Sequence, residues 1–154
     1  EVVAHLYDAR LQAGMEPLAA FKATLDRLRG AYALAVLVDG DEPLILGARL
    51  GPPLVVGHGD GEMYVGSDPL AVSPFTERVT YLEDGDWVVV DHDSARVFDA
   101  SGAPVERPVK RVDGSPALME RGNHRHFMEK EIHEQPYACQ QTLSAYVDPV
   151  SGRA

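Results

Sequence analysis

The order of elements along the 154 residues predicts an α+β fold. Two helical patterns open the chain, short strand-like runs at hairpin spacing fill its middle, and helical character returns only near the end. An interval rich in proline, glycine and charge separates the last strands from that final helix. Helices and strands kept apart in this way favour antiparallel sheets with helices packed on them, rather than alternating βαβ units.

The opening EVVAHLYDARLQAG reads as a short amphipathic helix through Val2, Val3, Leu6 and Arg10, stopped by Gly14. A second helix follows in EPLAAFKATLDRL, with Pro17 suited to a first turn, where a missing N–H has no helical partner to lose. Leu18, Phe21, Leu25 and Leu28 recur at three and four residues and make one apolar stripe. The period then changes. Ala31 to Val38, AYALAVLV, is apolar throughout, as for a strand covered on both faces. DGDEP turns the chain and LILGAR returns it, so Ala31 to Arg49 reads as a hairpin. PLVVG and EMYVGS flank a second turn, GHGDG. SDPLAVSPF predicts a short helix capped by Ser67 or Asp68, with Pro69 in its first turn. Val79 to Val105 holds three further strand-like runs, broken at Asp84-Gly85, His92-Asp93-Ser94 and Ser101-Gly102. From about Arg107 to Gly122 periodicity is lost, which predicts a linker. HRHFMEKEIHEQPYACQQTLSAYV then restores a helix. The expected division is 1–106, a linker at 107–122, and 123–154.

Composition narrows the function. The formal net charge is −10 and the basic residues are scattered, which argues against nucleic acid and anionic membrane surfaces as partners. No apolar run approaches the roughly 18–20 residues of a membrane span, and no signal peptide is visible. The one cysteine, Cys139, has no internal partner for a disulfide, so a reducing compartment, the cytoplasm, is expected. The first residue is Glu1, which opens directly into a helical pattern without a cap. That predicts missing upstream sequence.

Three stretches invite a chemical reading. Gly57 to Met63, GHGDGEM, has the glycines of a phosphate cradle, but a strand follows where a helix N-terminus should receive the anion. A hairpin turn is the better reading. His124 to Ala138 packs three histidines and three glutamates into fifteen residues. On a helix His126 shares a face with Lys130, and Glu129 with His133. No histidine pair stands at i,i+4, and a third ligand beside Glu129 and His133 has no evident source. A solvated, charged helix face is expected and no metal. For Cys139, no base lies near in sequence, and a buried, inert thiol is expected. No G-x-S-x-G element occurs.

HFMEKEIHEQP resembles the stretch that opens the isomerase half of the glucosamine-6-phosphate synthases: a histidine and an aromatic residue, Met, Lys-Glu-Ile, one variable residue, then Glu-Gln-Pro. His126, Phe127, Met128, Lys130, Glu131, Ile132, Glu134, Gln135 and Pro136 fit it. EVVAHL, LRGAYALAVL, ARLGPPLVVG, SDPLA and YLEDGDWVVV are similar, in the same order, to the second half of that family's glutaminase domain. The resemblance runs essentially end to end.

It implies that 1–106 is the C-terminal part of a class II glutamine amidotransferase domain, an αββα N-terminal-nucleophile hydrolase, and that 123–154 begins a sugar isomerase domain. It implies a parent enzyme making glucosamine 6-phosphate and glutamate from fructose 6-phosphate and glutamine, as a homodimer without metal or organic cofactor. In that family an N-terminal cysteine attacks the glutamine amide with its own α-amino group as base. The matching position, and the glutamine-binding aspartate, fall upstream of Glu1; the isomerase catalytic residues fall downstream of Ala154. The expectation is therefore no catalytic and no substrate-binding residue within this chain, and an inactive fragment. Cys139 matches no catalytic position. Arg49, Ser67 and Asp68 end strands near turns, which leaves them a supporting role beside a site or a purely structural one. The alternative is a stand-alone, non-catalytic binding or regulatory module derived from the enzyme. Another class II amidotransferase, of the purine or asparagine type, is disfavoured by Lys-Glu-Ile-x-Glu-Gln-Pro.

Overall fold

The computed structural model describes residues 1–40, 43–112 and 122–146, and the chain divides into two compact units, Glu1–Gly114 and Ser115–Ala154. The first unit is α+β with antiparallel sheets throughout. It opens with α1 (Val2–Gln12) and α2 (Pro17–Leu25). Then come β1 (Tyr32–Val38), β2 (Leu44–Leu50), β3 (Val55–His58) and β4 (Met63–Gly66). The short α3 (Pro69–Val72) precedes β5 (Arg78–Tyr81), β6 (Trp87–Val90), β7 (Ala95–Phe98), β8 (Pro104–Val105) and β9 (Val109–Arg111).

Two sheets result, one in the order β1-β2-β6-β7-β8 and one in the order β4-β3-β5-β9. The first hairpin pairs Tyr32 with Leu50 through to Val38 with Leu44, and Ala48 of β2 in turn faces Trp87 of β6. Alternation along β6 divides the core. Trp87 and Val89 point to the helices, where they meet Tyr7, Ala20, Phe21, Leu46 and Ala48. Val88 and Val90 point to the other sheet and meet Leu54, Val56, Leu82 and Val97. A strand buried on both faces reads as a continuous apolar run, and WVVV is one. Beyond the second sheet, Val55 and Val79 pack on Val72 of α3. The layers of this unit run α1/α2, five-stranded sheet, four-stranded sheet, α3.

Phe21 is the centre of the helix layer, with its ring edge-on to Tyr7 at 6.1 Å and to Trp87 at 6.2 Å. Arg10 ties the two helices by donating to the carbonyls of Leu6, at 2.8 Å, and Ala23, at 3.0 Å. In α1 the buried residue is Tyr7, while Val2, read as part of the apolar face, is exposed. Gly14 follows the helix with φ +82°, a conformation open to glycine at no steric cost.

Two expectations are corrected. β1 is not covered on both faces: its residues alternate, and Ala33, Ala35 and Leu37 are exposed, Leu37 at 72%. The packing between the sheets reaches Ile45 on β2 and includes no residue of β1. The predicted linker also begins inside the fold. Val109–Arg111 pairs antiparallel with β5, Thr80 facing Val109 and Arg78 facing Arg111, and the Val112 N–H donates to Glu77 O at 2.7 Å. All three residues of β9 are exposed, so hydropathy carries no strand signal there. The rest of that interval, 113–121, lies outside the described residues.

In the second unit the described element is α4 (Phe127–Tyr146), a helix of 20 residues with Pro136 inside it. Met128, Ile132, Cys139, Leu143 and Tyr146, spaced at three, four and seven residues, fall on one face of it and all are exposed.

Candidate functional site

Arg49 lies at the end of β2 and reaches across to the β5–β6 turn. Its guanidinium donates to Leu82 O at 2.8 Å, to Gly51 O at 3.0 Å and to Asp84 Oδ1 at 2.6 Å. The same Asp84 oxygen accepts the Gly51 N–H at 3.0 Å. Those bonds, the Gly51 amide first, hold the Asp84 carboxyl below the ordinary carboxylate range. Beside them Asp86, which is buried, accepts the Glu83 N–H at 2.7 Å and a fork from Arg107, Nε at 2.8 Å and a terminal nitrogen at 3.0 Å. These bonds tie the end of β2 and Arg107 to the β5–β6 turn. The bonds of Arg49 give it a structural task in holding that turn. Asp68 is likewise a cap, its Oδ1 accepting the Leu70 N–H at 2.7 Å at the start of α3, while Ser67 is not the cap.

The GHGDG stretch is the β3–β4 turn. His58 pairs with Met63, the Gly59 N–H donates to Glu62 O at 2.9 Å, and Gly61 takes φ +71°. No helix N-terminus follows, so the turn has no row of N–H donors for a phosphate.

An open cleft of about 730 Å³ lies along β3, β5, β7 and the 104–109 segment. Its polar lining includes His58, Thr80, Arg96, Glu106 and Arg107. His58 Nε2 is 2.8 Å from Thr80 Oγ1, and the Thr76 hydroxyl donates to the His58 carbonyl at 2.6 Å. Burial, helped by the charge of Arg78, lowers the pKa of the His58 imidazole and favours its neutral form. The Thr80 hydroxyl and the His58 imidazole thus make a hydroxyl–base contact at the wall of the cleft.

The histidine-rich stretch forms the start of α4, and here the structure adds a residue that sequence spacing missed. His124, two residues before the helix signature begins, folds back so that its ring stacks on His133, centroids 5.3 Å apart and planes 20° from parallel. Glu129 stands beside them, and the ligand atoms of His124, Glu129 and His133 all lie within 4.8 Å of one another. Glu129 Oε2 accepts the Arg125 N–H at 3.0 Å, which closes the first turn. Further along, Cys139 is exposed on α4 rather than buried, because the apolar face that carries it has no cover among the described residues.

No family model matches the chain. Individual relatives do. A protein of Caulobacter vibrioides named glutamine–fructose-6-phosphate aminotransferase (isomerizing) is 64% identical over 154 residues, 100% of this chain. Proteins of the same name from Mesorhizobium japonicum and Zymomonas mobilis are 56% and 52% identical over 152 and 153 residues, each 99% of this chain. The chain is related to these aminotransferases along its whole length. It spans about a quarter of the length of each, 25% in all three. Among the described residues no helix is long and apolar enough to cross a membrane.

Proposed function

We propose that the chain is a segment of a glutamine–fructose-6-phosphate aminotransferase, the enzyme that makes glucosamine 6-phosphate and glutamate from fructose 6-phosphate and glutamine for amino-sugar synthesis. The observation that carries this reading is similarity at 48–64% identity over all or nearly all of the chain, against a quarter of each relative. In this reading 1–106, with the β9 segment attached, is the C-terminal part of the glutaminase domain. The order of layers, with helices outside two antiparallel sheets, is what an αββα hydrolase would leave in such a piece. Residues 123–154 then begin the sugar isomerase domain, and the parent is a cytoplasmic homodimer.

Two apolar surfaces left uncovered among the described residues support a role as part of a larger body. One is the Ala33, Ala35 and Leu37 face of β1; the other is the Met128 to Tyr146 face of α4. Contiguous exposed apolar area of this kind marks a contact surface. In this reading glutamine hydrolysis belongs to the longer protein and the 154 residues alone are inactive, with the Thr80–His58 contact serving as a hydrogen bond between β3 and β5.

The test is to assay glutamate release by the purified 154-residue chain and by the longest in-frame product of its own locus. The reading expects none from the first, and glutamate together with glucosamine 6-phosphate from the second. Glutamate released by the 154-residue chain would overturn its inactivity, and a longer product that aminates no fructose 6-phosphate would overturn the assignment itself. One observation favours the rival, a non-catalytic binding module: the 730 Å³ cleft with arginines in its lining. A soluble monomer of 154 residues with a single cooperative melt would support that rival, since uncovered sheet and helix faces favour aggregation.

A further inference from the structure

His124, Glu129 and His133 form a two-histidine, one-carboxylate cluster at the entry to α4. Helix geometry accounts for two of them, since residues four apart share a face. The third arrives by the fold-back of His124 onto His133, with the rings stacked at 5.3 Å. Glu129 is held at the first turn by the Arg125 N–H, as an oriented carboxylate ligand should be. Tetrahedral Zn²⁺ holds imidazole nitrogen and carboxylate oxygen at about 2.0–2.2 Å, which puts neighbouring ligand atoms about 3.4 Å apart. In this structure those atoms lie within 4.8 Å of one another, so side-chain rotations closing about 1.4 Å at most complete the set. Glu129 and His133 are exposed and His124 is half-buried, so such rotations have to shift the ring stack and the Arg125 bond but no core packing.

We propose that these three residues bind one Zn²⁺ ion, with water in the fourth position. Two histidines and a carboxylate are a donor set that Zn²⁺ takes readily, and a thiolate is not needed. The ion would join His124, ahead of the helix, to its second turn and so fix the path by which the chain enters α4. None of the three stands at a position of HFMEKEIHEQP that carries the family resemblance, so the site is a property of this chain and independent of the aminotransferase reading. Glu129 and His133 lie about 100° around the helix from Met128 and Ile132, so a partner covering the apolar face leaves the site at its rim.

The test is Zn²⁺ titration of the chelator-treated 154-residue chain by calorimetry, with Co²⁺ as a spectroscopic stand-in. The expected result is one ion per chain and a tetrahedral Co²⁺ absorption band. His124→Ala, Glu129→Gln and His133→Gln should each weaken binding at least about tenfold, while His126→Ala leaves it unchanged. Far-UV circular dichroism checks that α4 persists in each variant, and Glu129→Gln and His133→Gln preserve size and polarity. Absence of saturable binding would overturn the proposal. So would binding that survives all three substitutions, or that His126→Ala removes equally.

Discussion

Gly47 on β2 pairs with Val88 on β6, on the face that packs toward the other sheet, and placing a methyl group there tests how rigid that packing is. A Cβ on residue 47 would stand 2.8 Å from Val88 Cγ1 and 3.2 Å from Leu54 Cδ2. Comfortable carbon contacts are about 3.5–4.0 Å, so Val88 would have to retreat by about 0.7 Å. It has nowhere to go: Val88 is fully buried among Leu54, Val56, Leu82 and Val90, and its branched side chain has few rotamers to choose from. Overpacking of this kind costs about 1–3 kcal/mol. Against it stands the about 0.4–1 kcal/mol that alanine contributes by narrowing the unfolded ensemble. The expected net effect of Gly47→Ala is a destabilisation of about 1–2 kcal/mol. Urea unfolding followed by Trp87, the sole tryptophan, reads it directly, because Trp87 neighbours Val88 on β6 and faces Ala48. Adding Val88→Ala removes the Cγ1 methyl that is most in the way. The double variant should then be more stable than the sum of the singles by about 1 kcal/mol, well beyond the roughly 0.3–0.5 of independent sites. A neutral Gly47→Ala, or an additive cycle, would refute close packing between residues 47 and 88.

Two further outcomes follow from the same unit. The His58 imidazole is held neutral by burial and by Arg78, so its folded pKa lies below its unfolded one near 6.5. The unfolded chain then binds more protons around pH 6, and His58 contributes stability above that pH that is lost as pH falls through its folded pKa. His92, raised by Asp93, works in the opposite sense in the adjoining range above that pH, so His58→Gln is best compared on a His92→Ala background. There it should flatten the loss of stability between about pH 7 and 5; an unchanged slope would mean His58 titrates as if unfolded. Arg107→Ala and Asp86→Ala should each lower the urea midpoint, and the pair together little more than the worse single, since both break one fork. Wild-type midpoints would show that residue 107 does not belong to the first fold.

Much of the first unit was legible because its strongest signals are local. Phe21, Leu18 and Leu25 at helical spacing define the buried face of α2, and WVVV can only be a strand sandwiched between layers. Where legibility failed, the deciding contact lies elsewhere in the chain. AYALAVLV has the composition of a doubly covered strand, yet whether its second face is covered depends on a layer that no residue of β1 encodes. β9 failed in the other direction. Its Val-Lys-Arg has both faces in solvent and is a strand only because β5 offers it an edge. An exposed edge strand and a charged linker share a composition, so hydropathy cannot tell them apart.

The same division explains the α4 cluster. Glu129 and His133 share a helix face by spacing, and any reading of the sequence can pair them. His124 precedes the helix, where no period governs direction, and its place was set by a fold-back that leaves no mark in the pattern. Sequence spacing is a ruler only within an element; at the element's edge the backbone turns and the ruler ends. Metal ligands are often drawn from such edges, because a loop residue can close on a helix from a direction the helix itself cannot supply. The failure to find a third ligand by counting was therefore a statement about periodicity, and not about the chemistry of the site.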